Sequence, residues 1–63
     1  MKIKLRYKTK NGQCFGIDKY INLSEAKQIY KERLEKDDNI IEVYCIHYDG
    51  WHWRRSHTLK GLK

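Results

Sequence analysis

The sequence predicts an α+β fold of ββαββ order: a four-stranded antiparallel sheet, strand order 2-1-3-4, with one helix packed on one face. Three observations predict it. Ile3, Leu5 and Tyr7 alternate with Lys2, Lys4, Arg6 and Lys8, the period-two pattern of a half-buried strand. Asn11-Gly12 and Asp49-Gly50 are hairpin dipeptides set among β-forming segments. Between the two hairpins, Ala26, Ile29, Tyr30 and Leu34 recur at helical spacing, with Lys27, Lys31, Glu32 and Glu35 outside.

Within the first hairpin, charge selects the register. A two-residue Asn11-Gly12 turn would set Lys8 opposite Phe15 and Arg6 opposite Ile17, mixing cations into the apolar face. A three-residue loop, Lys10-Asn11-Gly12, with Gly12 left-handed, pairs Tyr7 with Phe15 and Leu5 with Ile17. Because a one-residue slip turns a whole strand over, the apolar pattern selects the longer loop. The second strand is then expected over 13–17.

Asn22-Leu23-Ser24-Glu25 reads as a capping box, in which Asn22 accepts from the Glu25 N–H and the Glu25 carboxylate reaches back. Ile21 and Ala26 supply its hydrophobic staple. The helix is expected to stop near Lys36, where Asp37-Asp38-Asn39 offers turn chemistry and Asn39 a positive φ. Ile40 to Tyr48, rich in β-branched and aromatic residues, is the third strand. Trp51 to Ser56 or beyond is the fourth, and the tail from Thr58 to Lys63 is expected to fray. With every neighbour antiparallel and connections short, strands one and three lie in the centre.

A chain of 63 residues holds one small domain. It buries only about 60% of the surface its unfolded chain exposes, so a deep catalytic cleft would consume much of its core. Size therefore favours a binding module over an enzyme. The net charge of +6 is unevenly placed. Met1 to Lys10 carries five basic residues and no acid, Trp51 to Lys63 four and none, and the middle holds all eight acids. Clustered positive charge attracts polyanions, and it also keeps a small protein in solution.

Two cysteines, Cys14 and Cys45, are too few for the disulfide framework of a secreted mini-domain. Charges interrupt every apolar residue of the opening segment, unlike a signal peptide, and no apolar run approaches the roughly 20 residues of a membrane span. The expectation is a cytoplasmic protein with reduced thiols and no membrane partner.

The face of the sheet away from the helix carries Lys2, Lys4, Arg6 and Lys8. What the third strand adds depends on the second turn. A three-residue loop, Tyr48-Asp49-Gly50, packs Val43 and Cys45 inward beside Trp51 and Trp53 and turns Glu42, Tyr44, Ile46, Tyr48, His52 and Arg54 outward. A two-residue loop, Asp49-Gly50, instead groups Tyr44, Ile46 and Tyr48 with Trp51 and Trp53, leaving Val43, Cys45, His47, His52 and Arg54 outside. One small helix cannot easily cover five large side chains, which favours the first register.

In that register a row of cations lies beside a row of rings. Single-stranded nucleic acid asks for this combination, cations tracking phosphates while rings stack on bases. Lys2, Lys4, Arg6, Lys8, Tyr44, Tyr48, Arg54 and Arg55 are the candidate nucleic-acid-binding residues. Each also has a plainer reading: rings as core or patch, lysines as a guard against sheet association, arginine over tryptophan as an ordinary cation–π contact.

Other chemistry fares less well. Cys45, His47 and His52 converge only in the two-residue register, structural zinc needs four ligands, and no paired Cys or His knuckle is present. A Cys–His nucleophile pair lacks any activating group. No cofactor, metal or catalytic residue is expected.

Tyr7-Lys8-Thr9-Lys10-Asn11-Gly12 followed by Asn22-Leu23-Ser24-Glu25-Ala26-Lys27 resembles the arm-binding domains of tyrosine recombinases. Those domains pair a basic hairpin with a helix opening on a Thr/Ser-x-x-Glu-Ala segment and bind DNA through the sheet. The resemblance covers about half the chain, and it breaks where two strands follow the helix here but three precede it there. The chain also looks like the small reading frames of phages and mobile elements. The leading expectation is a non-enzymatic nucleic-acid-binding module. The alternative is a small protein-binding module, such as a phage factor blocking a host or defence protein, since Trp, Tyr and Arg anchor interfaces and an open edge can augment a partner's sheet. A homodimer through an edge strand is compatible with either.

Overall fold

A computed structural model describes residues 2–61. Four strands, β1 (Lys4–Thr9), β2 (Cys14–Gly16), β3 (Ile40–Tyr48) and β4 (Trp53–Lys60), form one antiparallel sheet in the order β2-β1-β3-β4, with the helix α1 (Leu23–Ile29) between the hairpins. The ββαββ expectation is met in element order, strand order and direction.

The first hairpin has the register that charge separation demands. Thr9 N–H bonds the Gln13 carbonyl at 2.9 Å, Gly12 carries φ +87°, and Lys10-Asn11-Gly12 is the loop. Tyr7 pairs with Phe15, and the Ile17 N–H reaches the Leu5 carbonyl at 3.1 Å. The strand itself is shorter than 13–17. Gly16 has a steric role, since a Cβ there would lie 2.5 Å from the Leu5 carbonyl oxygen and 2.6 Å from the Arg6 side chain.

Beyond β2 the chain bonds back to the start of β1 through a two-way Ile3–Ile21 bridge at 2.7 and 2.8 Å. Asn22 then caps α1, its side-chain oxygen accepting the Glu25 N–H at 2.7 Å. After Ile29 the helix widens into a π turn over Tyr30–Leu34, closed by the Glu35 N–H on the Tyr30 carbonyl at 2.8 Å. Across this i→i+5 turn Leu34 is buried in the core, against which Ile29 also packs.

The exit corrects one expectation. Asn39 has no positive φ; the Asp37 side chain accepts the Asn39 N–H at 3.0 Å and its carbonyl accepts from Ile40 at 3.1 Å. The turn is made by a side-chain acceptor, so no left-handed residue is required.

Ile3, Leu5, Ile21, Ala26, Leu34, Ile40, Val43 and Cys45 form the core, with Tyr7, Ile17, Leu23, Ile29, Tyr30 and Leu59 packed around it. The inward rows of β1 and β3 thus meet the helix, and the outward rows are left uncovered. Among the described residues no helix is long and apolar enough to cross a membrane. A second correction concerns the tail. Thr58 to Lys60 belong to β4, and Leu59 packs on the core, so this part of the expected fray is ordered strand. Leu62 and Lys63 lie outside the described residues.

Two substitutions test this packing by urea denaturation. Leu5→Ala, at a site with no exposure, is expected to cost about 2–5 kcal/mol. Gly16→Ala is expected to cost about 1–3 kcal/mol, because its new methyl group meets backbone that the ladder holds in place. A Gly16→Ala protein as stable as the parent refutes the close-approach role.

Candidate nucleic-acid interface

Alternation sends Lys4, Arg6 and Lys8 of β1 to the uncovered face, opposite Ile46, Tyr44 and Glu42 of β3. On the other side of β3, Tyr48 pairs with Trp53 and Ile46 with Arg55. The inward and outward sets of β3 are those of the longer-loop register. β4, however, follows neither of the two registers considered.

The second hairpin closes through a four-residue loop, Asp49 to His52, flanked by the Tyr48–Trp53 pair. Asp49 organises it. Its Oδ1 accepts the Trp51 N–H at 2.9 Å and the His52 N–H at 2.7 Å, its Oδ2 takes the Arg54 guanidinium, and its N–H bonds the His52 carbonyl at 3.1 Å. Gly50 supplies φ +93°. The extra loop residue turns Trp53 outward, so neither tryptophan packs into the core. Trp51 stands in the loop, 78% exposed. His52 is a loop residue, and Arg54 pairs with His47 on the inward side while binding Asp49. Neither joins the outward row expected of it.

The open face has two halves. At one end Tyr48 (52% exposed), Trp53 (44%) and Tyr20 (50%) cluster. Trp53 lies 5.5 Å from Tyr48 and 6.1 Å from Tyr20, the latter with 19° between ring planes. The Lys4 ammonium sits 5.1 Å from both the Tyr20 and Trp53 centroids and 3.1 Å from Asp18. That hydrogen bond, with the ammonium charge, holds the Asp18 carboxyl below its usual range. Lys4 is therefore committed to its own chain. Tyr20 and Trp53 are rings of this face that sequence reasoning missed, Tyr20 because it stands in an irregular connection with no period to mark it and Trp53 because the favoured register packed it inward.

At the other end the Arg55 guanidinium lies 4.1 Å over the Tyr44 ring and 3.1 Å from Glu42. The Tyr44 hydroxyl is 3.7 Å from the Cys14 thiol, and this contact, followed by burial, raises its pKa. Arg6 and Lys8 lie in the same row of β1 and take part in none of the three ion pairs among the described residues. Lys2 is exposed just ahead of β1. Of the eight candidate residues, the fold gathers Lys4, Arg6, Lys8, Tyr44, Tyr48 and Arg55 on one face and sends Arg54 to the other.

Cys45 is buried in the core, and that burial pushes its thiol pKa up, away from the reactive thiolate. Among the described residues no group of three or more His, Cys, Asp or Glu side chains could hold a metal ion.

Asp49 gives the loop a pH signature. Hydrogen bonds from the His52 N–H, then Arg54 and the Trp51 N–H, lower its pKa from 3.8 to about 2. A depressed carboxylate stabilises the fold fully above its unfolded pKa of 3.8, and the contribution disappears as pH falls through about 2. NMR shifts of the Trp51 and His52 amides should therefore titrate with a midpoint near 2. A midpoint near 4 would show that the loop bonds do not form, and Asp49→Asn should abolish the transition.

Comparison with known protein families, curated proteins and solved structures gives no match for this chain, and the resemblance to arm-binding domains gains no support from it.

Proposed function

We propose that the chain is a non-enzymatic nucleic-acid-binding module that works through the uncovered face of its sheet. The observation that carries this reading is that Arg6 and Lys8, in no ion pair among the described residues, share one open face with the rings of Tyr44, Tyr48 and Trp53, Arg6 lying opposite Tyr44 and the Tyr48–Trp53 pair standing at the other end. Phosphates supply most of the affinity in such complexes and fix the ligand's position. Rings add contacts that a simple polyanion does not satisfy. Lys4 serves a different purpose from its neighbours in the row, bracing Tyr20 and Trp53. Lys2 adds charge at the beginning of the row, and Arg54 stabilises the loop.

A second reading, a small protein-binding module, is favoured by one specific feature. β4 is an outer strand of eight residues whose far edge has no strand partner among the described residues, and such an edge can pair with a strand of another protein.

Anisotropy titration of a labelled oligonucleotide separates the two. Binding should be clear at ~50 mM salt and fall steeply by ~200 mM. Arg6→Gln and Lys8→Gln should each reduce the slope of log K against log salt by about 0.7–0.9, while Lys31→Gln, on the helix, should leave it unchanged. Absence of binding at the lower salt removes the nucleic-acid reading. A partner retained from nuclease-treated lysate would then favour the second.

A further inference from the structure

We infer that the nucleic acid this face accepts is single-stranded, with bases laid on Trp51 and Tyr48 and phosphates on Arg6 and Lys8; the inference rests on the reading above and narrows it. A base can stack on a protein ring only when its own face is free. Inside a duplex each base is covered above and below by its neighbours, so rings offered as stacking surfaces find their partner in an unpaired strand.

The exposed surface is spent on rings. Tyr20, Tyr48 and Trp53 are each near half exposed, and Trp51 is the most exposed large apolar side chain among the described residues. Trp51 stands beyond Tyr48 at the hairpin end, in a loop already fixed by the Asp49 bonds to Trp51, His52 and Arg54. A ring held by a preordered loop binds without the entropy cost of ordering that loop. A flexible tip would gain much less from the same contact.

The cations match the same ligand. Arg6 and Lys8 are two residues apart on β1, and two strand residues span about 6.8 Å. Successive phosphates of one strand are a comparable distance apart along the backbone, so Arg6 and Lys8 can meet two neighbouring phosphates. It is the rings, rather than this spacing, that select an unpaired strand. Lys4, tied to Asp18 and two rings, does not extend the cation row.

The test uses the full chain and two single-tryptophan variants, Trp53→Phe, which keeps Trp51, and Trp51→Phe, which keeps Trp53. A short oligothymidylate, its duplex with oligoadenylate, and heparin are titrated at one salt concentration. Oligothymidylate should quench Trp51 fluorescence strongly in Trp53→Phe, and heparin should not. The duplex should bind at least tenfold more weakly than the single strand. Trp51→Ala, exposed and therefore harmless to folding by circular dichroism, should weaken the single strand about 5- to 150-fold and leave heparin unchanged. Equal affinity for duplex and single strand, without quenching, overturns the inference while leaving the wider reading intact. Failure of every nucleic acid to bind at low salt overturns both.

Discussion

The two-residue alternation along β1 and β3 determines both halves of this molecule. Leu5 and Tyr7 in β1, with Val43 and Cys45 in β3, face the helix, and the same backbone geometry then forces Lys4, Arg6 and Lys8 beside Ile46, Tyr44 and Glu42 on the opposite side. One helix, and a short one, can cover only one face. The uncovered side is thus fixed by the core: a slip of one residue would bury lysine and expose leucine, an exchange the fold could not survive. The candidate interface is carried by the two strands that supply much of the core, although none of its exposed rings belongs to that core.

How far this could be read in the sequence differs between the two hairpins, for a physical reason. In the first, a wrong register puts Arg6 and Lys8 among apolar residues, so charge alone chooses the loop. In the second, Trp51 and Trp53 share one parity and could pack beside either row of β3, Val43 and Cys45 or Tyr44, Ile46 and Tyr48, while Arg54 and Arg55 stand at adjacent positions. No register there is penalised strongly enough to exclude the others. What decides it is a polar device local to the loop: Asp49 captures two backbone N–H groups and a guanidinium, which makes a four-residue loop better satisfied than a shorter one. The signal was present in Asp49-Gly50, which can open a turn of several lengths, but apolar parity could not weigh it. The π turn at Tyr30–Leu34 and the position of Tyr20 left no mark in the periodicity at all.

Lys4 shows why a row of like residues need not act alike. Its alternation partners Arg6 and Lys8 differ from it in sequence by two and four places only, and nothing in spacing distinguishes them. The connection after β2 does. By returning to β1 at the Ile3–Ile21 bridge, it carries Asp18 and Tyr20 to the end of the strand where Lys4 stands. Cation–π contacts of this kind contribute about 0.5–1 kcal/mol at exposed sites. Their larger effect is to hold Tyr20 against Trp53, so that the aromatic end of the face is ordered without being buried.

The plain explanation of a lysine row on an open sheet is protection: like charges keep two sheets from stacking. That explanation accounts for Lys4, Arg6 and Lys8 taken alone, and it weakens once the neighbouring residues are included. Tyr20, Tyr48 and Trp53 offer another sheet an apolar surface to rest on, and Glu42 and Asp18 remove part of the repulsion by pairing with Arg55 and Lys4. A surface shaped only against association would place polar side chains where these rings stand, at no cost to a core that does not use them. Cations and rings together are better matched to a ligand that carries both phosphates and flat faces. Under the proposed reading the charge would have two compatible effects, repelling a second copy of the sheet and attracting a strand of opposite sign.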